Sequence, residues 1–367
     1  MLISAVCRVT FLLLLGLAPF PAVALNMAFI NPGKSDEPYW SLASAAMQQA
    51  ADSLGIHLEI LTAERNYLAQ IHLVETLGER PRQERPDYVI VVAEKATLAP
   101  QLMAAERADI PVFLAFNSVI GPAHEQVGFP RQRFRQWLGS LVPVAEEGGY
   151  IAARALIQAA LRDLPAGEPL EMIAIAGDRS THTSMERNRG LERALKEFPQ
   201  VRLLQKVYAD WSYDKALEQT HHLLRRYPRT RLIWAASDLQ GFAAARAARH
   251  QGLTPGRDLF ISALNATPEA LDAVLNDEFT ALAGGHHMAG AWAMVLLYDY
   301  HHGVDFLDTE GAAELEFSMF SLLDKAAAAR LVERREKNGR VDFCQFSRVC
   351  TPGLQHYDFS YARWLDI

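Results

Sequence analysis

The chain has 367 residues, with 43 Asp and Glu against 36 Lys and Arg, for a formal charge of −7. That balance leaves no basic footprint for a nucleic acid, so DNA and RNA are not expected partners.

The N-terminus reads as an export signal. Arg8 precedes an apolar run over 9–17, and Ala22-Val23-Ala24 supplies a small-x-small cleavage site. These are the three parts of a secretory signal peptide, removed after Ala24. The run is shorter than the about 20 residues of a membrane-spanning helix. Pro19 and Pro21 break the helix that a buried N-terminal segment would need. Cys7 lies ahead of the apolar run, so no lipoprotein anchor is expected. Removing residues 1–24 leaves 343 residues, the length of two domains at about 100–200 residues each. No later stretch is long and apolar enough to anchor the chain.

Short apolar or β-branched runs predict strands at 27–30, 58–61, 88–92, 112–116, 172–176, 201–207, 232–235, 259–263 and 279–283. Helical patterns fall between them at 42–54, 145–161, 184–198, 213–227, 239–250 and 268–276. This alternation predicts parallel sheets with helices on both faces. The expected fold class is α/β: two doubly wound parallel-sheet lobes joined by a hinge of several short crossings. One lobe takes 25–139 plus 286–316, the other 140–285 plus 317–367, with crossings at 137–142, 284–287 and near 315–320. In open parallel sheets the ligand crevice lies outside the carboxyl ends of the strands. The residues just after each strand are therefore the candidates for a site.

After the first strand comes "INPGKSDEPYW". Gly33-Lys34-Ser35 matches the tail of a phosphate-binding loop, but the first glycine of that motif would stand at Ala28. Pro32 removes an N–H that the phosphate cradle needs, and Pro38 disfavours helix at Glu37. The alternative is an aromatic platform. Trp40 at the lip of the crevice suits the C–H-rich face of a sugar, while Tyr39 fits equally a staple of the helix to the core.

Asn117 follows the strand at 112–116, and its amide can donate to and accept from a hydroxyl, though Asn is also a common turn residue. Thr183-x-x-Glu186 reads as a capping box that starts the next helix. Arg187 then sits on the first turn, with a fork suited to vicinal oxygens or a carboxylate. Arg179, Arg189 and Arg193 are its neighbours, and Arg187 is the choice because of the spacing Arg187-x-x-Gly190. Trp211 repeats the aromatic-after-strand arrangement in the second lobe. Asp238 is placed at a helix N-cap, a position that alone explains an Asp. Asn265, and His286 or His287, complete the ring.

Catalytic readings find little support. The pairs His221-His222, His286-His287 and His301-His302 have no metal-motif spacing, so no metal is expected. Neither a G-x-S-x-G elbow nor a G-x-G-x-x-G fingerprint occurs, and no cofactor is expected. Asp238 is the one carboxylate assigned to the crevice, beside one Arg, which suits holding a neutral polar ligand better than hydrolysing it. Toward the C-terminus, Cys344 and Cys350 form an even, closely spaced pair, expected to be a disulfide in an exported chain. Two free thiols are the other reading.

The aromatic loop "EPYW", "MERNRGL", "ADWSYDKA", "WAASDLQGFAAARAARHQGL" and "ISALNATPEALDAVLNDEFTALAGG", in this order, resemble the type I periplasmic binding proteins, the ribose- and galactose-binding group of solute receptors. The similarity runs over nearly the whole mature chain. It implies a periplasmic protein, not an enzyme, whose lobes close on a small neutral sugar or polyol by hinge bending and which serves an inner-membrane ABC permease. It also implies that Trp40 and Trp211 stack on the sugar while Asn117, Arg187, Asp238 and Asn265 hydrogen-bond its hydroxyls.

Within the group, "EPYW", the long segment after Asn117 and the extended C-terminus are most similar to the autoinducer-2 receptors that partner membrane sensor kinases. Glu37 and Ser35 stand where the polar ligand contacts of those receptors are expected, and "AGGHH" lacks their second Arg. A sensory receptor read by a membrane kinase or cyclase is the alternative function, and a secreted glycosidase a third.

Overall fold

The computed structural model describes residues 25–163, 170–337 and 339–367. The expected signal peptide, residues 1–24, lies outside the described residues.

The first lobe is built from β1 (Leu25–Asn31), α1 (Pro38–Leu54), β2 (Ile56–Thr62), α2 (Tyr67–Glu79), β3 (Tyr88–Val91), α3 (Leu98–Ala108), β4 (Val112–Ala115), α4 (Pro122–Val127) and β5 (Trp137–Pro143). The second runs through α5 (Ala145–Asp163), β6 (Leu170–Ala176), α6 (His182–Glu197), β7 (Val201–Tyr208), α7 (Tyr213–Arg226), β8 (Leu232–Ala235), α8 (Asp238–His250), β9 (Phe260–Leu264), α9 (Pro268–Leu275) and β10 (Ala281–Gly284). The chain then returns to the first lobe with α10 (Ala289–His301), α11 (Phe306–Glu310) and β11 (Glu314–Phe317). It finishes through β12 (Ser321–Leu322), α12 (Lys325–Glu336) and α13 (Tyr361–Leu365).

Each lobe carries a six-stranded sheet, in the orders β11-β5-β4-β3-β1-β2 and β12-β10-β9-β8-β6-β7. All pairs are parallel except β12 on β10. Inner strands such as Tyr88–Val91 and Leu232–Ala235 are buried at every position, because helices cover both faces of a parallel sheet. The edge strands β2 and β7 are half-buried and carry polar residues such as Glu59 and Lys206. Parallel neighbours such as β1 and β2, β6 and β7, and β8 and β9 are joined through helices, as parallel pairing requires a crossover.

Two boundaries differ from the sequence expectation. The stretch at 137–142 is not a crossing but a strand, fully buried between β4 and β11. Gly139 permits this: a Cβ there would lie 2.5 Å from the Ala313 carbonyl oxygen and 2.7 Å from Phe306. The first crossing therefore comes after Pro143 rather than at 139, and the others lie between β10 and α10 and between β11 and β12.

The second difference is the tail. Helix α12 packs on α9 in the second lobe, but the residues after it return to the first. Trp292 of α10 is fully buried against Phe343, Phe346 and Phe359. The buried Asp299 accepts from the Ser347 hydroxyl at 2.5 Å, the Tyr357 hydroxyl at 2.8 Å and the backbone N–H of Arg348 at 2.7 Å. Helix α10 is buried on nearly all sides, so the tail aromatics supply the cover its outer face needs. Arg334 of α12 then holds the end of the tail, donating to the Trp364 and Leu365 carbonyls. Cys344 and Cys350 stand opposite each other in this segment, with Cα atoms 5.2 Å apart.

Candidate functional site

The carboxyl ends of the two sheets face each other across one cavity of about 1020 Å³, part of it continuous with solvent. Trp40, Asn117, Arg187, Trp211, Asp238, Asn265 and His286 all line it. Many of the loops that deliver them depart from ordinary backbone geometry. Arg65, Phe116, Asp210, Trp211 and Asn265 have φ between +50° and +108°. Such conformations cost about 1–3 kcal/mol each and collect at ligand clamps.

On the first lobe, Asn31 ends β1 and its Oδ1 accepts from the Gly33 N–H at 2.9 Å. That turn lays Gly33 against Trp40: a Cβ at Gly33 would lie 2.5 Å from the indole Cγ and 2.8 Å from Nε1. The glycine of the apparent phosphate loop thus makes room for an indole. Trp40 is 4% exposed and meets Phe116 edge-on at 5.2 Å. Tyr39, which sequence reasoning left between core and cleft, lines the cavity and stacks on His286 at 5.1 Å. Its hydroxyl is pushed well above its ordinary range by burial.

Trp211 is placed on the second lobe by three contacts. Gly177 leaves it space, since a Cβ there would lie 2.6 Å from the indole Cε2. The indole N–H donates to Asp178 Oδ2 at 2.7 Å, and the Arg187 guanidinium sits 5.6 Å from the ring centroid, within cation–π range. Asp178 is itself fixed by the backbone N–H groups of Ser180 and Thr181, both at 2.7 Å. Burial raises its carboxyl, and these donors together with Trp211 and the Thr181 hydroxyl outweigh burial to hold it below the usual range.

Gly190 and Gly149 let α6 and α5 touch backbone to backbone, a Cβ at Gly190 lying 2.5 Å from the Tyr150 nitrogen. This draws Arg187 inward to 3% exposure. Its Nη1 donates to the Ala236 carbonyl at 2.6 Å and its Nη2 meets His286 Nε2 at 2.8 Å, while Nε has no partner. Burial lowers the guanidinium to about 10. Burial, then Arg187, then His287, drive the His286 pKa well below its ordinary value. The imidazole is neutral, and Nε2, accepting from Arg187, leaves the proton on Nδ1. His287 points elsewhere, edge-on to Tyr361 at 5.6 Å.

Three expected roles change. Ser237, not Asp238, caps α8, its hydroxyl accepting from the Gln240 N–H. Asp238 is the first helical residue, its carboxylate accepting from the Leu239 N–H at 2.7 Å, Asn265 Nδ2 at 2.6 Å and the Thr267 hydroxyl at 2.5 Å. Burial still raises its carboxyl above the usual range despite those donors. The expected capping box at Thr183 is also absent, because α6 begins at His182 with Thr181 before it. Thr183 instead reaches across the cavity, its N–H and hydroxyl donating to Asn117 Oδ1 at 3.1 and 2.8 Å. Asn117 is thereby a link between the lobes.

Sequence reasoning missed Arg65, Glu94 and Glu269, and set Glu37 only at a contact position of similar receptors without choosing it for the site, yet all four line the cavity. Arg65 and Glu94 follow β2 and β3, so the post-strand rule applied to those two strands finds them. Arg65 Nε donates to Glu37 Oε2 at 2.8 Å, and a second guanidinium N–H donates to Oε1. The lining therefore holds four carboxylates against two guanidinium groups, not one against one.

A profile of the periplasmic binding protein domain matches residues 27–303. A periplasmic sugar-binding protein from Pseudomonas fluorescens superposes with a TM-score of 0.82 and 35% identity, covering 94% of this chain and 100% of that one. The galactofuranose-binding protein of Escherichia coli K12 is 22% identical over 265 residues, 71% of this chain and 77% of its own. The D-allose-binding periplasmic protein of the same strain is 23% identical over 282 residues, 76% of this chain and 86% of its own.

Proposed function

The chain belongs to the periplasmic binding protein domain family, and we propose that it is a receptor that closes on one small neutral sugar or polyol for delivery to an inner-membrane ABC permease. Export by the N-terminal segment fits this role. The observation that carries the reading is the meeting of Trp40 from one lobe and Trp211 from the other at a single cavity, with the Arg187 guanidinium 5.6 Å from the Trp211 ring centroid. Indole faces match the C–H face of a sugar ring, and the polar groups between them match its hydroxyls. Trp40 and Trp211 sandwich the ring. Arg187, the Asn117 NH₂ group, Asp238, Asn265 and His286 address its edge.

Holding rather than turnover fits two of the four lining carboxylates. Glu37 is paired with Arg65 and Asp238 is occupied by three donors, so neither is free to act as acid or nucleophile. A thermal-shift screen of sugars and polyols tests the proposal. A ligand at 100 times its dissociation constant adds about 2.7 kcal/mol to stability. Absence of any shift across aldoses, ketoses, furanoses and polyols, with no binding in calorimetry, would sink it.

A second reading, a receptor read by a membrane sensor kinase or cyclase, draws on the tail. Residues 339–367 lie beyond the matched 27–303 and coat α10 of the first lobe, giving that face a surface of its own. Loss of sugar uptake on deletion of the gene favours transport, whereas loss of a transcriptional response with uptake intact favours sensing.

A further inference from the structure

Of the two lining carboxylates that accept no side-chain hydrogen bond, Glu94 and Glu269, Glu269 is exposed and Glu94 is sheltered. The loops after β1, β2 and β3 bring Glu37, Arg65 and Glu94 together, but Arg65 gives its two-point contact to Glu37. Its remaining Nη1 lies 3.7 Å from Glu94 Oε1, an ion pair without a hydrogen bond. Only 15% of the Glu94 side chain is open to solvent. The turn that presents it is a strained one, with φ of 45° at Lys95 and 62° at Ala96, tied down by the Glu94 N–H donating to the Thr97 hydroxyl at 3.4 Å. A sheltered carboxylate without donors is unfavourable, and one facing a cavity is relieved when a ligand supplies them.

Resting on the receptor reading above, we propose that Glu94 determines specificity: it accepts two neighbouring hydroxyls of the sugar, and its charge, which shares the single Arg65 with Glu37, makes the site reject acidic sugars. Carboxylates accept hydroxyl pairs through their two oxygens. Arg65 is neutralised by Glu37 and Arg187 lies near Asp238, so Glu94 and the rim residue Glu269 leave the lining net negative. A sugar bearing its own carboxylate meets repulsion in a low-dielectric cleft.

Burial raises the Glu94 carboxyl; Arg65 opposes this, Glu37 and Asp178 add to it, and Lys95 lowers it slightly. Hydroxyl donors prefer the ionised form. The Glu94 contribution to affinity is therefore present above its ligand-free pKa and lost as pH falls through it.

The test is calorimetry on wild type and Glu94→Gln with the neutral sugar found by screening, its monodeoxy analogues and its uronic acid, over a range of pH. Glu94→Gln is expected to weaken the parent sugar about 10–100-fold without lowering the melting temperature. At least one monodeoxy analogue loses a similar factor in wild type and little in the variant. The uronic acid gains affinity in the variant, and the acid-side fall in affinity flattens. If wild type binds sugar but Glu94→Gln leaves affinity, analogue ranking and pH profile unchanged, this inference fails alone. If wild type binds no sugar, the receptor reading fails and takes this inference with it.

Discussion

Gly177→Ala tests the placement of Trp211 without touching a group that meets ligand. Gly177 has no left-handed φ among the glycines that do, so alanine brings no backbone strain, and at such a site it stabilises by about 0.4–1 kcal/mol through the unfolded chain. Its methyl, however, would lie 2.6 Å from the indole Cε2 and nearer to the outer edge of the ring. Carbon contacts settle at about 3.5 Å or more, so the indole must move by roughly 1 Å. The bond to Asp178 Oδ2, now 2.7 Å, then lengthens past useful range. Losing a hydrogen bond to a charged acceptor costs about 1.5–3 kcal/mol, and the displaced ring no longer matches the ligand face. Affinity is expected to fall about 10–100-fold, read by calorimetry with the sugar from the thermal-shift screen, while far-UV circular dichroism stays as in wild type. Unchanged affinity in a folded variant would refute the claim that Gly177 and Asp178 set Trp211 against the ligand.

Asn117→Ala removes the acceptor for both Thr183 donors across the cleft; two neutral hydrogen bonds are worth about 1–2 kcal/mol of closed state, so small-angle scattering should give a larger ligand-free radius of gyration and calorimetry an affinity lower by about 5–30-fold. Asp299→Ala strands the Ser347, Tyr357 and Arg348 donors, lowers unfolding stability by about 3 kcal/mol, and should expose the tail to limited proteolysis before either lobe. For the proposed Cys344–Cys350 bridge, alkylation of the unreduced, denatured protein should add no mass at either residue; closing so short a loop stabilises by about 2 kcal/mol, and melting should shift downward on reduction.

The strands were legible because parallel strands covered on both faces are short unbroken apolar runs, as at Tyr88–Val91 and Leu232–Ala235. The gathering of Trp40, Trp211, Arg187 and Asp238 at one cavity was legible for a related reason: the carboxyl ends of parallel strands share one side of the sheet, so their order in sequence gives their neighbourhood in space. Glu94 and Arg65 were within reach of the same rule, but their local sequences, "AEKA" and "AERN", look like any solvated loop. The link from Asn117 to Thr183 joins residues 66 apart and leaves no periodic trace in either segment. The tail was misplaced for the same reason. Phe343, Phe346 and Phe359 show that something apolar must be covered, and only the chain path shows that it is Trp292. The strand at 137–143 takes in the stretch read as a crossing at 137–142; one of its partners, β11, lies far off in sequence and leaves no local sign of the pairing.

The central claim is that one uncharged ring lies between Trp40 and Trp211. The most direct measurement is a crystal structure of the protein with the sugar selected by screening. Density for a single sugar, its faces against the two indoles and hydroxyls within hydrogen-bond reach of Arg187, agrees with the account. Sugar bound on an outer face, or a cavity filled by protein side chains with the sugar elsewhere, contradicts it.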